Sequence, residues 1–212
     1  NIVILATGGT IAGAAATGTQ AGYKSGAVGI DTMIAAVPGI TDLANVRGEQ
    51  ISSVGSQDMS FAILLTVAKR INELAKQPDI AGFVITHGTD TLEELAYFLH
   101  LTVRDSRPVV VVGSMRNPST LGYEGAANLE DAFRVAADSA SRDMGALVVL
   151  NDEINSAREA TKTDARLLNT FSSRDYGVLG TILDRVTYFR KPVKRHTAQS
   201  EFDVSKITSL PR

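Results

Sequence analysis

Four short apolar runs constrain the fold more than any other feature: IVILA (2–6), FVIT (83–86), VVVVG (109–113) and ALVVL (146–150). They are rich in Val and Ile and show little alternation. A strand with one face in water alternates apolar and polar residues. A strand covered on both faces reads as a continuous apolar run. Segments with helical periodicity separate these runs. In 59–75, Met59, Ile63, Leu64, Val67, Ile71, Leu74 and Ala75 share a face. Leu92, Leu95, Ala96, Leu99 and Val103 do so in 92–103, and Leu129, Ala132, Phe133, Ala136 and Ala140 in 128–140. Strands alternating with helices in this way predict an α/β fold: a mainly parallel, twisted sheet flanked by helices.

Weaker signals fill in the rest. Residues 30–37 read as a short helix halted by Pro38-Gly39, and Gln50–Val54 as a strand before Gly55-Ser56-Gln57-Asp58. Thr91 followed by Glu94 fits a capping box, which starts that helix at Leu92. Asp58 reads as a cap for the helix that begins near Met59. From Asn151 the regularity fades. Thr161-Lys162-Thr163 falls in an irregular stretch, 176–190 reads as a β-hairpin, and 190–212 as an extended linker with a basic, solvated cluster (Arg190, Lys191, Lys194, Arg195). The expected division is therefore a catalytic α/β domain over 1–189 and a linker over 190–212.

Composition excludes several classes. The formal net charge is −2, so no global field draws nucleic acid or an anionic membrane. There is no cysteine, hence no disulfide and no thiolate metal site. The three histidines, His87, His100 and His196, lack metal-ligand spacing. No apolar run approaches the roughly 20 residues of a membrane span. Asn1 opens directly into a strand pattern, so no signal peptide is expected in the chain.

In open α/β sheets ligands sit beyond the carboxyl ends of the strands. Those ends carry Thr7-Gly8-Gly9-Thr10, Gly55-Ser56-Gln57-Asp58, His87-Gly88-Thr89-Asp90-Thr91, Gly113-Ser114-Met115-Arg116 and Asn151-Asp152. Gly8-Gly9-Thr10 lacks the lysine of a P-loop, and the glycine spacing does not fit a dinucleotide fingerprint. Hydroxyls, a carboxylate and bare backbone N–H groups suit a small zwitterion such as an amino acid. They also suit acyl chemistry with a hydroxyl nucleophile. No Ser-His-Asp set or G-x-S-x-G elbow is present, so the activating base would be a lysine or a tyrosine. Taken singly, Thr10 and Thr89 read as turn and cap residues, and Lys162 as a solvated surface lysine. His87 reads as a brace for its loop rather than a base.

Two motifs in combination go further. ILATGGTIAG (4–13) and GFVITHGTDTLEELAYFL (82–99), with GEQISSVGSQDM (48–59), PVVVVGSMR (108–116), NDEI (151–154), REATKT (158–163) and KRHTAQSEFDVSKI (194–207), resemble the bacterial L-asparaginase family, in particular its type II members. The resemblance runs through the chain in order. It implies hydrolysis of the side-chain amide of L-asparagine, with L-glutamine as a further candidate substrate, through a threonine acyl-enzyme without metal or organic cofactor. Thr10 matches the nucleophile and Tyr23 its hydrogen-bonding tyrosine. Thr89, Asp90 and Lys162 match a second triad that eases formation of an alkoxide or activates water. Ser56, Gln57 and Asp90 match the grip on the substrate's α-carboxylate and α-ammonium. Ser114 matches the residue whose carbonyl faces the leaving amide, and Gly9, Gly88 and Thr89 complete the binding rim. Of the two threonines, Thr10 is favoured as the nucleophile.

The same resemblance implies a second, smaller domain after the linker. It also implies a homotetramer in which a neighbour's second domain completes each site, and a periplasmic compartment with a cytoplasmic alternative. The chain departs from the family's usual MRP…SADG pattern, reading Met115-Arg116-Asn117-Pro118 and then Gly122-Tyr123-Glu124-Gly125. That loop lies toward the amide end of the pocket and leaves the choice between asparagine and glutamine open. The competing reading is a non-catalytic amino-acid-binding module that keeps Ser56, Gln57 and Asp90.

Overall fold

The computed structural model describes residues 1–16, 22–193 and 199–211. In chain order the elements are β1 (Ile2–Gly8), α1 (Ile30–Ala35), α2 (Ile40–Leu43), β2 (Val46–Val54), α3 (Phe61–Leu74), β3 (Gly82–Thr86), α4 (Leu92–Thr102), β4 (Val109–Val112), α5 (Gly125–Ala137) and β5 (Ala146–Leu150). Five short strands follow: β6 (Glu153–Ser156), β7 (Ala160–Lys162), β8 (Phe171–Ser173), β9 (Gly180–Ile182) and β10 (Val186–Tyr188).

Eight strands form one sheet in the order β10-β9-β6-β5-β4-β3-β1-β2. The pairs from β2 through β5 are parallel, and those from β5 to β10 antiparallel. The uninterrupted Val and Ile runs are the central strands, as their composition requires. Along β1, Val3 and Leu5 face a cluster with Leu95 and Leu99 of α4 and Ile71 of α3, while Ile2, Ile4 and Ala6 face Met33 of α1 and Phe133 of α5. Alternate residues thus serve opposite cores, and both faces are dry.

The structure revises several expectations. β2 begins at Val46, earlier than Gln50, because it is a half-exposed edge strand whose outward side chains carry no apolar signal. Thr161-Lys162 is not irregular: β7 pairs with β8, and Lys162 lies opposite Phe171. Three-residue strands are too short to show a period. The 176–190 hairpin is present as β9 and β10, paired Ile182 with Val186.

Among the described residues 190–193 and 199–211 no helix or strand occurs, yet the segment is not simply solvated. Arg190 donates to Glu159 at 2.6 Å, Arg104 pairs with Asp203 at 3.0 Å, and Val204 is buried in the α3–α4 core. Lys194 and Arg195 lie outside the described residues. No helix among the described residues is long and apolar enough to cross a membrane.

Candidate active site

The carboxyl ends of β1, β2, β3 and β4 share one edge of the parallel sheet, and the loops that leave them touch. β1 ends in two glycines with positive φ, Gly8 at 113° and Gly9 at 82°. A Cβ on Gly9 would lie 2.3 Å from the Cα and N of Gly88. A Cβ on Gly88 would lie 2.6 Å from the Ser56 hydroxyl. The Gly9 and Gly88 loops therefore stack backbone to backbone, with the Ser56 side chain packed on Gly88, a packing only glycine permits.

Thr10 opens a short 3-10 turn, Thr10–Ala12, directly after Gly9, and is 8% exposed. Its hydroxyl lies 2.5 Å from the Tyr23 hydroxyl. Tyr23 reaches this position by packing on Gly13, where a Cβ would fall 2.7 Å from the tyrosine ring. Ala14 and Lys24 bridge the two legs of this loop.

The second threonine belongs to the next loop. Lys162 Nζ donates to Thr89 Oγ1 at 2.9 Å and to Asp90 Oδ1 at 2.6 Å. The lysine side chain is 16% exposed and charge-paired, not a solvated surface group. Ser56 is buried, and its hydroxyl accepts from the Asp90 N–H at 3.2 Å. Gln57 folds back over Gly55 and donates to Asp58 at 3.0 Å. Ser114 is fully buried and donates to the Arg116 carbonyl at 2.6 Å. Gly113 beside it sits where a Cβ would fall 3.3 Å from the Thr89 methyl. Beside Lys162 a groove of about 400 Å³ opens between Asp90, Glu93, Glu94 and Thr163. A roomier hollow, about 590 Å³ by Met144 and Tyr188, lies at the amino end of β5, away from these side chains.

His87 braces the loop. Thr91 donates to the Ser56 carbonyl at 3.0 Å, and its Oγ1 lies 3.0 Å from His87 Nε2. On the other side Thr7 donates to the Thr86 carbonyl at 2.9 Å, and its Oγ1 lies 2.6 Å from Nδ1, so both ring nitrogens are held. Burial pushes the imidazole down to about 4, so the ring is neutral. That use of Thr91 corrects the capping box: α4 starts at Leu92 as expected, but the Thr91 hydroxyl makes no cap bond to its own helix. Asp58 is not a cap either; Ser60 caps α3 by accepting from Ile63. Asn151 and Asp152 both have positive φ, 56° and 63°, and form the two-residue turn between paired Leu150 and Glu153. They are a hairpin turn first and rim residues second.

Sequence reasoning overlooked Glu93. Its carboxylate accepts from the Lys162 N–H at 2.5 Å and from the Thr161 hydroxyl at 2.9 Å. One turn of α4 thereby holds the β7 backbone that delivers Lys162 to Thr89. The available hint was a second acid in the first helical turn, which dipole arguments alone explain equally well. Among the described residues no three His, Cys, Asp or Glu side chains group closely enough to hold a metal ion.

The family model described as asparaginase, N-terminal, matches residues 1–194. The chain belongs to the asparaginase family. It is 49% identical over 213 residues to L-asparaginase 2 of Escherichia coli, covering 100% of this chain and 61% of the relative. It is 47% identical over 213 residues to the glutaminase-asparaginase of Pseudomonas fluorescens, covering 100% and 59%. The crystal structure of the probable cytoplasmic L-asparaginase from Campylobacter jejuni superposes with a TM-score of 0.97 at 45% identity, covering 100% of this chain and 65% of that one. The asparaginase fold is thus present from β1 through β10, while the chain spans less than two thirds of each of these relatives.

Proposed function

We propose that this chain carries the catalytic domain of an amidohydrolase that converts L-asparagine to L-aspartate and ammonia. The observation that carries the reading is Lys162 Nζ bridging Thr89 and Asp90 on a loop that stacks, through Gly88 and Gly9, on the loop of the Thr10–Tyr23 pair. An amino-acid binder needs a carboxylate and N–H donors; it does not need a lysine held against a threonine hydroxyl.

In this reading Thr10 Oγ1 attacks the amide carbon, and its proton passes through Tyr23. The tetrahedral intermediate expels ammonia and leaves an aspartyl ester on Thr10. Water then cleaves the ester. The Lys162 ammonium, 2.9 Å from Thr89, favours negative charge developing on that hydroxyl or on water beside it. Ser56, Gln57 and Asp90 hold the α-carboxylate and α-ammonium, and Gly9, Gly88 and Ser114 line the rim. Glutamine is the second substrate to test, since relatives under both names match the chain. A tetramer with sites completed by a neighbour's second domain is carried by the type II resemblance alone; a periplasmic location, with a cytoplasmic alternative, rests on that resemblance and on the names of relatives assigned to each compartment.

The test is ammonia release from L-asparagine and L-glutamine by the full-length protein. Release from asparagine at enzymatic rates is expected. Tight binding of aspartate without release would support the binding module instead.

A further inference from the structure

The proposed nucleophile is held from a side the motifs do not describe. The loop that departs from the family pattern, 117–123, reaches across the end of the sheet to the segment just after Thr10. Tyr123 donates its hydroxyl to the Ile11 carbonyl at 3.1 Å. The Ala15 N–H donates to Ser119 Oγ at 3.1 Å. These bonds grip the 11–15 segment at two points, one on the residue next to Thr10.

Both gripping residues are themselves fixed. Asn117 Oδ1 accepts from the Ser119 N–H at 3.0 Å, and its carbonyl accepts from the Thr120 N–H at 2.9 Å. The Arg116 guanidinium donates to the Gly122 carbonyl at 2.9 Å, and Glu124 accepts from the N–H groups of Met115 and Arg116. Tyr123 lies over the start of α5, and Gly125 leaves room for it: a Cβ there would fall 2.3 Å from the tyrosine oxygen. The ring packs on the core cluster that contains Ile11 and Ala12. Burial, with Glu124 beside it, pushes the phenol up to about 12, so it remains a donor across the working pH range.

We propose that Tyr123 and Ser119 are positioning residues for Thr10, clamping the turn that carries it to the end of β4. The inference rests on Thr10 being the nucleophile. The other holds on that segment come from its own loop: Tyr23, itself 39% exposed, meets the Thr10 hydroxyl and packs on Gly13, Ala14 bridges to Lys24, and the Ala12 carbonyl accepts from Val28 at 2.9 Å. A nucleophile displaced by about 1 Å can lose on the order of a hundredfold in rate, so a second hold has a catalytic consequence. Ser56, Gln57 and Asp90, which grip the α-carboxylate and α-ammonium, follow β2 and β3 and make no bond to Tyr123 or Ser119 among the described residues.

The test uses the full-length protein with Tyr123→Phe and Ser119→Ala, each removing one hydroxyl. Aspartate binding by calorimetry supplies both affinity and the number of intact sites. Turnover per intact site is expected to fall about ten- to a hundredfold in Tyr123→Phe, with aspartate affinity within about twofold. Amide hydrogen exchange over Ala12–Ala15 should accelerate in both variants. A merely structural role would lower the number of sites or the affinity and leave turnover per site unchanged. Turnover per site within about twofold of the parent in both variants overturns the proposal, whatever the exchange shows. Thr10→Ala separates this from the reading beneath it. Near-normal turnover there would remove Thr10 as nucleophile, whereas loss there with normal Tyr123→Phe would remove only the clamp.

Discussion

Gly9 and Gly88 meet so closely that a Cβ on the first would lie 2.3 Å from the Cα of the second. This contact joins the Thr10 loop to the Thr89 loop, and Gly9 also has φ 82°. Gly9→Ala therefore meets both backbone strain and collision with backbone atoms that cannot turn aside. It should cost about 2 kcal/mol or more of stability and remove most turnover. Gly29→Ala is the control, since nothing lies within 4 Å of its added Cβ. Thermal unfolding and ammonia release of the two variants check this; equal behaviour would show that the loops can separate without consequence.

Lys162→Met should abolish hydrolysis and spare the fold. Among the described residues the lysine ammonium bonds only the side chains of Thr89 and Asp90, while its backbone stays held by Glu93. Circular dichroism and unfolding should match the parent. Retained turnover would mean that neither threonine needs the ammonium.

Two groups give opposing pH dependences over nearly the same window. His87 has its ordinary 6.5 lowered to about 4 by burial, so its contribution is complete above pH 6.5 and is lost as pH falls toward 4. The full loss is about 3 kcal/mol. Asp131 is raised from 3.8 to about 7, by burial first and by Asp152 next. Its contribution is present below pH 3.8 and is lost as pH rises through 7. Asp131→Asn should therefore be more stable than the parent at pH 7 and should lose stability more steeply between pH 6.5 and 4. Denaturant midpoints across that range decide; no gain at pH 7 would mean that the Asp131 carboxyl is not strained by its surroundings.

The parallel core was legible because strands such as Val109–Val112 are covered on both faces and so read as unbroken apolar runs. The site's threonines and Lys162 were legible through paired motifs, not through chemistry, since each alone reads as a turn, cap or surface residue. What escaped depends on tertiary partners. Thr91 matches a capping box, yet its hydroxyl serves Ser56 and His87. Glu93 holds a strand about 70 residues away in sequence, and Tyr123 holds a turn 112 residues away. No local pattern encodes such distances. Lys162 lies on a strand of three residues, below the length at which periodicity carries information.

The 212-residue chain on its own should be a poor enzyme. The groove beside Lys162 is open, and water at the reacting centre weakens its hydrogen bonds and charges. Leu183, Phe189 and Val193 stand exposed around the last hairpin, so self-association is also expected. The remedy to test is fusion to the further domain that the family resemblance implies. Full activity from the monomeric chain would show that this rim needs nothing more.

The most direct test of the account is Thr10→Ala in the full-length protein, measured for ammonia release from L-asparagine and for aspartate binding. Thr10 sits 2.5 Å from Tyr23 on the glycine-stacked loop, with its side chain nearly buried. If it forms the acyl-enzyme, turnover should fall by roughly three orders of magnitude or more while aspartate still binds. Turnover close to the parent's would contradict the account and move the nucleophile to Thr89.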